Sequence, residues 1–382
     1  MGLELAIYDL SPSVEGFTKE HNPNTKFSRN ICSILDVAPS EIDIAKFKDG
    51  ERDPNIRDSV RGKKIFAFQS YIEPIGERKY ELELFLDAVG PGGGNKEGVV
   101  VVFPYCFGSR GERRTRPRQA APTLVFAKSL GAFKGDTLLT GGVHADSIAL
   151  VYNARDVYVE PLEFETVVAN YIIRNYKDNK HVALMSPDDG GLKRVRRIEK
   201  VIKNPDVREM EGVTLDVITR SAEKIRVKGD EIDSLNLLGS VEGYDVIIVD
   251  DVADTLSTLY TAAKNCKDGG AKSIKALMYH ATLGDGYETN MKKLFDEGLI
   301  DELILGNTVP IKDFAKNHPK VKVLPFEPLF AEAIKRIYEN RSMSELYNYA
   351  GVIKIYNKAR LLFKRDPKYV KIESINLPTL NS

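Results

Sequence analysis

Short apolar runs alternate with amphipathic helical patterns along the first half of this 382-residue chain. Runs rich in β-branched residues are typical of strands buried on both faces, and an apolar period near 3.6 is typical of helices. These signals predict strands at 3–8, 65–69, 99–103 and 138–140, and helices at 77–89 and 123–130. The glycine-rich segment 90–94 is predicted to be a loop that ends the first helix.

The same alternation restarts after residue 163. Helices are predicted at 164–176, 191–201 and 259–266, and strands at 182–185, 215–219, 246–249, 274–278 and 303–305. Strands that alternate with helices favour parallel sheets, so we expect an α/β protein with two domains of similar architecture. The predicted division is 1–160, 161–348 and a basic, tyrosine-rich extension at 349–382 without a functional signal. Polar loops follow strands in both halves, which favours a substrate cleft between them.

Composition narrows the class of protein. Lysine plus arginine and aspartate plus glutamate both number 55, so no overall basic field favours nucleic acid or an anionic membrane. The three cysteines are widely spaced, which is typical of a reducing compartment. No signal-peptide pattern opens the chain, and no apolar run approaches membrane-spanning length. We therefore expect a cytoplasmic protein with neither a nucleic-acid nor a membrane partner.

The strongest chemical signal is the segment 245–259, which reads DVIIVDDVADTLSTL. In an open α/β sheet, ligands bind beyond the carboxyl ends of strands, where a helix N-terminus offers N–H groups to an anion. Carboxylates there suit ribose hydroxyls or Mg2+, and hydroxyls and amides suit phosphate. The polar residues after the predicted strand are Asp250, Asp251, Asp254, Thr255, Ser257 and Thr258. The alternative is an ordinary strand end with a helix cap, which three clustered acids make less favourable.

This segment resembles the ribose-phosphate-binding loop of phosphoribosyltransferases, and more closely that of the ribose-phosphate pyrophosphokinases. Further segments resemble blocks of the latter family in the same order, so that the resemblance runs from near the N-terminus to residue 348. They are 46–51 (KFKDGE), 103–105 with the arginine-rich run after it, 121–122, 143–145 (VHA), 186–194 (SPDDGGLKR), 224–226 (KIR), 307–310 (NTVP) and 331–337 (AEAIKRI).

The resemblance implies two phosphoribosyltransferase-like domains, each a mainly parallel sheet flanked by helices. It implies Mg2+-dependent transfer of the β,γ-diphosphoryl group of ATP to the anomeric hydroxyl of ribose-5-phosphate, giving phosphoribosyl pyrophosphate and AMP. It also implies a homo-oligomer built from dimers, commonly a hexamer, in which the adenine-binding loop reaches the ATP site of a neighbouring subunit.

The resemblance gives each site residue a role that its chemistry suits. An aromatic face stacks on adenine, and arginine forks match phosphate oxygens. ATP would be bound by Phe47, Asp49, Glu51, Arg110 and Arg113. Ribose-5-phosphate would be bound by Asp250, Asp251, Asp254, Thr255, Ser257 and Thr258. Lys224 and Arg226 would be catalytic, on a mobile lid at 220–229 that has neither helical nor strand periodicity. His144 and Asp188 would hold Mg2+, although a lone histidine is otherwise more often structural.

Departures from the family pattern keep alternatives open. Gly142-Val143 stands where the family has Asp-Leu before the histidine, and Gly111-Glu112 stands where it has Gln-Asp. Leu256 and Ser257 occupy the phosphate loop, where Ser257 replaces a glycine and its Cβ disfavours a positive φ. The same chemistry on another ribosyl phosphate, such as ADP-ribose, is therefore an alternative. A non-catalytic regulatory paralogue is disfavoured by the retained lid cations, and a plain phosphoribosyltransferase by the N-terminal ATP segments.

Overall fold

The computed structural model describes residues 3–10, 23–95, 98–178, 181–188, 190–225, 234–363 and 369–370. The chain divides into two compact units. The first comprises the residues up to 163 together with 308–310 and 327–343. The second comprises 164–307, 311–326 and the residues from 344 onward. The segment 327–343, which we placed in the second domain, thus groups with the first unit.

Within the described residues the secondary structure follows the predicted alternation. The strands are β1 (Glu4–Asp9), β2 (Ile42–Lys46), β3 (Arg52–Ile56), β4 (Lys63–Phe68), β5 (Val99–Val102), β6 (Thr137–Gly141), β7 (Tyr158–Leu162), β8 (Val182–Ser186), β9 (Val217–Ile225), β10 (Ser234–Leu238), β11 (Asp245–Val252), β12 (Ser273–His280), β13 (Glu302–Gly306) and β14 (Val321–Leu324). The helices are α1 (Pro23–Leu35), α2 (Ile75–Asp87), α3 (Pro122–Ala132), α4 (Ser147–Asn153), α5 (Glu165–Tyr176), α6 (Leu192–Ile202), α7 (Pro205–Glu211), α8 (Ser257–Asp268), α9 (Tyr287–Asp296), α10 (Asp313–Asn317), α11 (Glu327–Tyr338) and α12 (Tyr349–Phe363).

The first unit is built on a five-stranded parallel sheet with the order β1-β4-β5-β6-β7. β5 consists of four buried valines, as expected for a strand covered on both faces. β2 and β3 form a separate antiparallel hairpin. α11 packs against α1 through the rings of Phe27 and Phe330, whose centroids lie 5.6 Å apart. This helix contact accounts for the return of a late segment of the chain to the first unit.

The second unit is built on a seven-stranded sheet with the order β10-β9-β8-β11-β12-β13-β14. All neighbouring strands are parallel except β10, which runs antiparallel to β9. The chain leaves β8 toward β9 on one side and later returns to β11 on the other side. The carboxyl ends of β8 and β11 therefore flank the point where the strand order reverses, which is the usual ligand position in such sheets.

The predicted α/β class with parallel sheets and flanking helices is confirmed, but two local predictions are wrong. The loop predicted at 90–94 begins inside a π-helical turn, Ala88–Gly92, that continues α2. The irregular segment predicted from residue 220 is instead the end of β9 as far as Ile225. The end of β9 lacks the alternating apolar pattern of a strand. It is a strand because it pairs with β10, and this contact cannot be read from its own residues.

The C-terminal extension begins as a helix of the second unit. α12 buries Val352, Ile353 and Tyr356, and Tyr356 Oη donates to the carbonyl oxygen of Pro325 at 2.7 Å. Beyond it, Val370 N donates to Val323 O of β14 at 2.9 Å. Among the described residues, no helix combines the length and apolarity that a membrane crossing requires.

Candidate active site

Acidic residues meet at the carboxyl ends of β8 and β11. The two strands are parallel neighbours, so their carboxyl ends lie at the same edge of the sheet. Asp188 follows β8, and Asp250 and Asp251 lie near the end of β11. The reversal of strand order thus brings two of the predicted segments together, 186–194 and 250–258.

A buried arginine joins these two segments. Arg194, in the first turn of α6, is 9 % exposed. Its Nη1 atom lies 3.2 Å from Asp250 Oδ1, and its Nη2 atom lies 3.3 Å from Asp251 Oδ2. The guanidinium carbon also lies 5.4 Å from the ring centroid of Tyr279 on β12, within the range of a cation–π contact. One side chain of α6 therefore contacts both β11 and β12 at the site.

The electrostatics of this group follow from its burial. Burial and the neighbouring charge of Asp251 together raise the pKa of Asp250 to about 8, although Arg194 opposes both. Burial alone would lower the pKa of Arg194, but Asp251 and Asp250 outweigh it and raise that pKa above its ordinary value. Two adjacent carboxylates therefore share one fixed cation.

The loop between β11 and α8 turns sharply at Leu256 rather than at Ser257. Leu256 has a φ of 63°, in the left-handed region, and is the residue that precedes the first turn of α8. Ser257 is the first helical residue, so the strain expected for Ser257 is absent there and falls on Leu256. The buried side chain of Leu256, 4 % exposed, packs in the core of the second unit.

The hydroxyls of this loop lie where a helix N-terminus can add N–H donors. Ser257 Oγ lies 2.9 Å from Thr255 Oγ1, and Ser257 N donates to Thr255 Oγ1 at 3.4 Å. Ser257 is exposed, and Thr258 is half-buried in the first turn of α8. Exposed hydroxyls at the start of a 12-residue helix can bind a phosphate group.

The segment after β12 supports the loop from the other side. Gly284 N donates to Asp254 Oδ1 at 3.2 Å, and Asn290 Nδ2 donates to Thr255 O at 2.8 Å. A Cβ on Gly284 would lie 2.3 Å from Asp254 Oδ1. Asp254 and Thr255 are thus fixed by their neighbours before any ligand binds.

The segment after β8 is equally ordered around Asp188. Asp188 Oδ1 accepts a hydrogen bond from Gly191 N at 3.0 Å, and Ser186 Oγ donates to Asp188 O at 2.6 Å. A Cβ on Gly191 would lie 2.5 Å from Ser186 Oγ and 3.0 Å from Arg194 Nη1. Glycine at 191 is therefore required by close packing.

The predicted adenine residues lie on the turn of the β2–β3 hairpin in the first unit. Phe47 N donates to Glu51 O at 2.9 Å, and Glu51 N donates to Asp49 Oδ1 at 3.1 Å. Gly50 has a φ of 98°, which closes the turn. The Phe47 side chain is 51 % exposed, and Asp49 and Glu51 are also exposed. An exposed aromatic ring with carboxylates beside it can stack on a base and accept its amino protons.

The predicted arginines follow β5 in a loop anchored by buried aromatic rings. Phe107 packs against Phe103, with centroids 3.8 Å apart, and Arg110 and Arg113 lie exposed beyond it. A Cβ on Gly111 would lie 2.6 Å from Pro122 Cδ. Packing against Pro122 thus explains why Gly111 stands where the family has glutamine.

The predicted metal ligands lie at the carboxyl ends of β6 and β8. His144 follows β6 and is exposed, and Asp188 is half-buried. Among the described residues, no three or more histidine, cysteine or acidic side chains are grouped as in a metal site. Mg2+ is commonly held by one or two carboxylates together with substrate phosphates and water. The carboxylate of Asp188 is a donor of this kind and fits such a Mg2+ ion.

One of the two predicted catalytic cations lies among the described residues. The backbone of Lys224 lies in β9, opposite Leu235 of β10. Arg226 lies outside the described residues.

Sequence reasoning missed Arg194, because it is one of four cations in the run KRVRR at 193–197. Arg194 differs from the other three cations in its position around the helix axis. It lies on the buried face of α6 with Val195 and Ile198.

Comparisons with known proteins match both halves of the chain. The model for the N-terminal domain of ribose phosphate pyrophosphokinase matches residues 19–133, and that for the phosphoribosyl synthetase-associated domain matches residues 200–348. Ribose-phosphate pyrophosphokinase from Campylobacter jejuni is 32% identical over 325 residues, which cover 85% of this chain and 96% of that protein. The protein of the same name from Wolinella succinogenes is 31% identical over 332 residues, covering 87% and 98%.

A solved structure shares the fold. The crystal structure of phosphoribosylpyrophosphate synthetase from Mycobacterium smegmatis has a TM-score of 0.74 to this chain at 23% identity, covering 88% of this chain and 99% of that one. The relatives above 30% identity confirm the resemblance to this family, and the chain belongs to the ribose-phosphate pyrophosphokinase family.

Proposed function

We propose that this enzyme transfers the β,γ-diphosphoryl group of ATP to ribose-5-phosphate. The anomeric hydroxyl oxygen attacks the β-phosphorus in line, the bond from that phosphorus to the α-phosphate oxygen breaks, and AMP leaves as the hydroxyl proton is lost. Such a reaction depends on positioning and charge neutralisation more than on covalent participation of the protein. The observation that carries the proposal is the acidic and hydroxyl-rich loop 250–258 at the reversal of strand order.

The ribose-5-phosphate end of the reaction is assigned to this loop. The 5-phosphate would be bound by the hydroxyls of Thr255, Ser257 and Thr258 and by the N-terminus of α8. Asp250, Asp251 and Asp254 would form the ribose side of the site, where carboxylates accept hydrogen bonds from sugar hydroxyls. Contacts at both ends of the sugar would hold the anomeric oxygen in a fixed position.

The ATP end is assigned to the β2–β3 hairpin and to the loop after β5 in the first unit. Adenine would stack on Phe47, Asp49 and Glu51 would accept from its amino group, and Arg110 and Arg113 would bind phosphate oxygens. Lys224 and Arg226 would stabilise the charge that develops on the transferred group. Mg2+ bound with phosphate oxygens, by His144 at one site and by Asp188 at another, would supply further charge neutralisation.

A homo-oligomer would complete the ATP site if the hairpin carrying Phe47 reaches a neighbouring subunit. Mixing a Phe47→Ala variant with a Lys224→Ala variant should then restore part of the activity, because some sites would contain both wild-type residues. Mixed oligomers should be verified by differential tags. No recovery in verified mixtures would argue for sites built within one subunit.

The direct test measures AMP release from ATP and Mg2+ with no acceptor, with ribose-5-phosphate and with ADP-ribose, with the products identified by mass. Phosphoribosyl pyrophosphate and AMP are expected from ribose-5-phosphate alone. Turnover only with ADP-ribose would reassign the acceptor and make Leu256 and Ser257 its determinants. No AMP from any mixture would favour a non-catalytic paralogue. Lys224→Ala should abolish turnover but retain ATP binding, because its contact forms in the transition state.

A further inference from the structure

A single side chain holds both members of the acidic pair in β11. Successive side chains of a strand point to opposite faces, so adjacent carboxylates would ordinarily diverge. The planar guanidinium of Arg194 presents separate donors, and it contacts Asp250 through Nη1 and Asp251 through Nη2. The pair is thus tied to one cation at the strand end.

The two carboxylates are not equivalent in this arrangement. The Asp250 side chain is 20 % exposed, whereas that of Asp251 is 7 % exposed. Asp250 Oδ1 also accepts from the backbone N–H of Asp251 at 2.9 Å, which fixes its rotation. The more exposed carboxylate is therefore the one that can reach a sugar, and the more buried one serves as counter-ion to Arg194.

Arg194 is itself held rigidly. Its guanidinium lies beside Tyr279, which is fully buried, and the Tyr279 ring packs at 5.5 Å against Phe164. Phe164 is stacked on Phe326 with centroids 3.7 Å apart. A Cβ at residue 191 would lie 3.0 Å from Arg194 Nη1, so the glycine leaves the space that the guanidinium occupies. A rigid cation between two acids is suited to position them without touching the substrate.

On these contacts, and resting on the proposed function, we propose that Arg194 is a positioning residue of the ribose site that orients Asp250 toward the sugar hydroxyls, with Asp251 as its buried counter-ion. The acid pair then has two distinct roles, although its members are adjacent and chemically identical. Lysine cannot replace Arg194, because a single nitrogen cannot bridge both carboxylates in this geometry.

The test compares Arg194→Lys with Arg196→Lys, an exposed arginine of the same helix. The measurements are ribose-5-phosphate affinity by calorimetry without ATP, KM for each substrate and the midpoint of thermal unfolding. Arg194→Lys keeps the buried charge, so the midpoint should stay close to wild type. Ribose-5-phosphate affinity should fall roughly tenfold to a hundredfold, as for loss of a hydrogen bond to a charged group, while KM for ATP stays unchanged. Arg196→Lys should match wild type throughout.

Two results would overturn the inference. Wild-type ribose-5-phosphate affinity in Arg194→Lys would rule out the positioning role. An equal rise of the KM values for both substrates, together with a lowered unfolding midpoint, would show that Arg194 contributes only to packing. Asp250→Asn and Asp251→Asn provide a second measure that does not depend on folding of an arginine variant. Asp250→Asn should lose more ribose-5-phosphate affinity than Asp251→Asn, whereas Asp251→Asn should lose more thermal stability. The reverse order would also overturn the inference. Binding without AMP release by the wild type would refute the proposed reaction only, whereas absence of binding would refute both.

Discussion

Arg52, the first residue of β3, lies with its Nε atom 3.4 Å from Glu81 Oε1 on α2, and both side chains are almost fully buried. Arg52 also contacts Glu77, and Arg78 lies 2.7 Å from Glu81 through Nη1. The hydrogen bond from Arg52 lowers the pKa of Glu77. Two arginines and two glutamates thus join the hairpin to α2. The hairpin that carries Phe47 is therefore held by buried charge rather than by an apolar contact alone.

Replacing Arg52 by methionine should weaken both the fold and ATP binding. Removing one partner of a buried ion pair leaves uncompensated charge and costs about 3–5 kcal/mol of unfolding free energy. The hairpin would also lose its connection to α2, so KM for ATP should rise. Urea denaturation and steady-state kinetics would measure the two effects.

Arg57→Met is the matched control, because Arg57 follows the same strand and pairs with Asp43 at the surface, where its side chain is 60% exposed. Exposed ion pairs contribute little, so this variant should resemble wild type. Equal stability of the Arg52 and Arg57 variants would refute the role of the buried network.

At Leu256, substitution by glycine should destabilise the protein less than substitution by alanine, the reverse of the usual order in a helix. Its side chain is buried, so both changes lose packing, but its φ of 63° favours glycine by roughly 1–2 kcal/mol over a residue with a Cβ. Leu256→Gly should therefore be more stable than Leu256→Ala in urea denaturation, although glycine is smaller.

Leu259 provides the comparison, because it is 3 % exposed and lies in the regular helix three residues later. There glycine should be less stable than alanine by about 1 kcal/mol. The same order at both positions would mean that the left-handed turn at Leu256 does not constrain the loop.

Gly191→Ala should impair the ribose site without a change of charge. The added Cβ would lie 2.5 Å from Ser186 Oγ and 3.0 Å from Arg194 Nη1, so both side chains must move. Displacement of positioning groups by about 1 Å can cost up to a hundredfold in rate, and kcat/KM for ribose-5-phosphate should fall accordingly. Gly190→Ala, whose nearest neighbour would be 3.3 Å away, should be much milder. Similar losses in both variants would show general intolerance of the loop.

The sequence predicted the elements whose apolar pattern is local. Buried β-branched strands such as β5 and β11 were recognised because each contains a continuous apolar run. The end of β9 was missed because its strand conformation depends on pairing with β10, a contact outside its own residues. The hairpin β2–β3 was missed for a similar reason, since its strands are half-exposed and the Arg52 network that holds it is long-range.

The residue types of the site could be predicted from the sequence, but the separate roles of neighbouring residues in it could not. The acids and hydroxyls of 250–258 stand out by composition alone, and their position at a strand end follows from the α/β alternation. A left-handed leucine is not readable from sequence, because the general preference at such a φ is glycine. The bridge from Arg194 to two adjacent acids depends on strand order, which the sequence alone does not specify.

Removal of α12 should destabilise the second unit. The helix buries Val352, Ile353 and Tyr356, and full burial of each such side chain is worth roughly 1.5–3 kcal/mol. A chain that ends at residue 348 should therefore unfold at a midpoint roughly 10–20 °C lower, as measured by calorimetry. Loss of the Val370–Val323 hydrogen bond would also expose the edge of β14 and favour aggregation.

Two variants distinguish packing of α12 from a general effect of truncation. A chain that ends at residue 370 retains α12 and the contact with β14, so its midpoint should lie well above that of the chain ending at 348. Tyr356→Phe removes the hydroxyl that donates to Pro325 O and should cost about 1 kcal/mol. If the chain ending at 348 unfolds at the wild-type midpoint, the extension is dispensable for folding. Its buried face would then have to be explained by a role in assembly, which analytical ultracentrifugation of the two truncated chains would reveal.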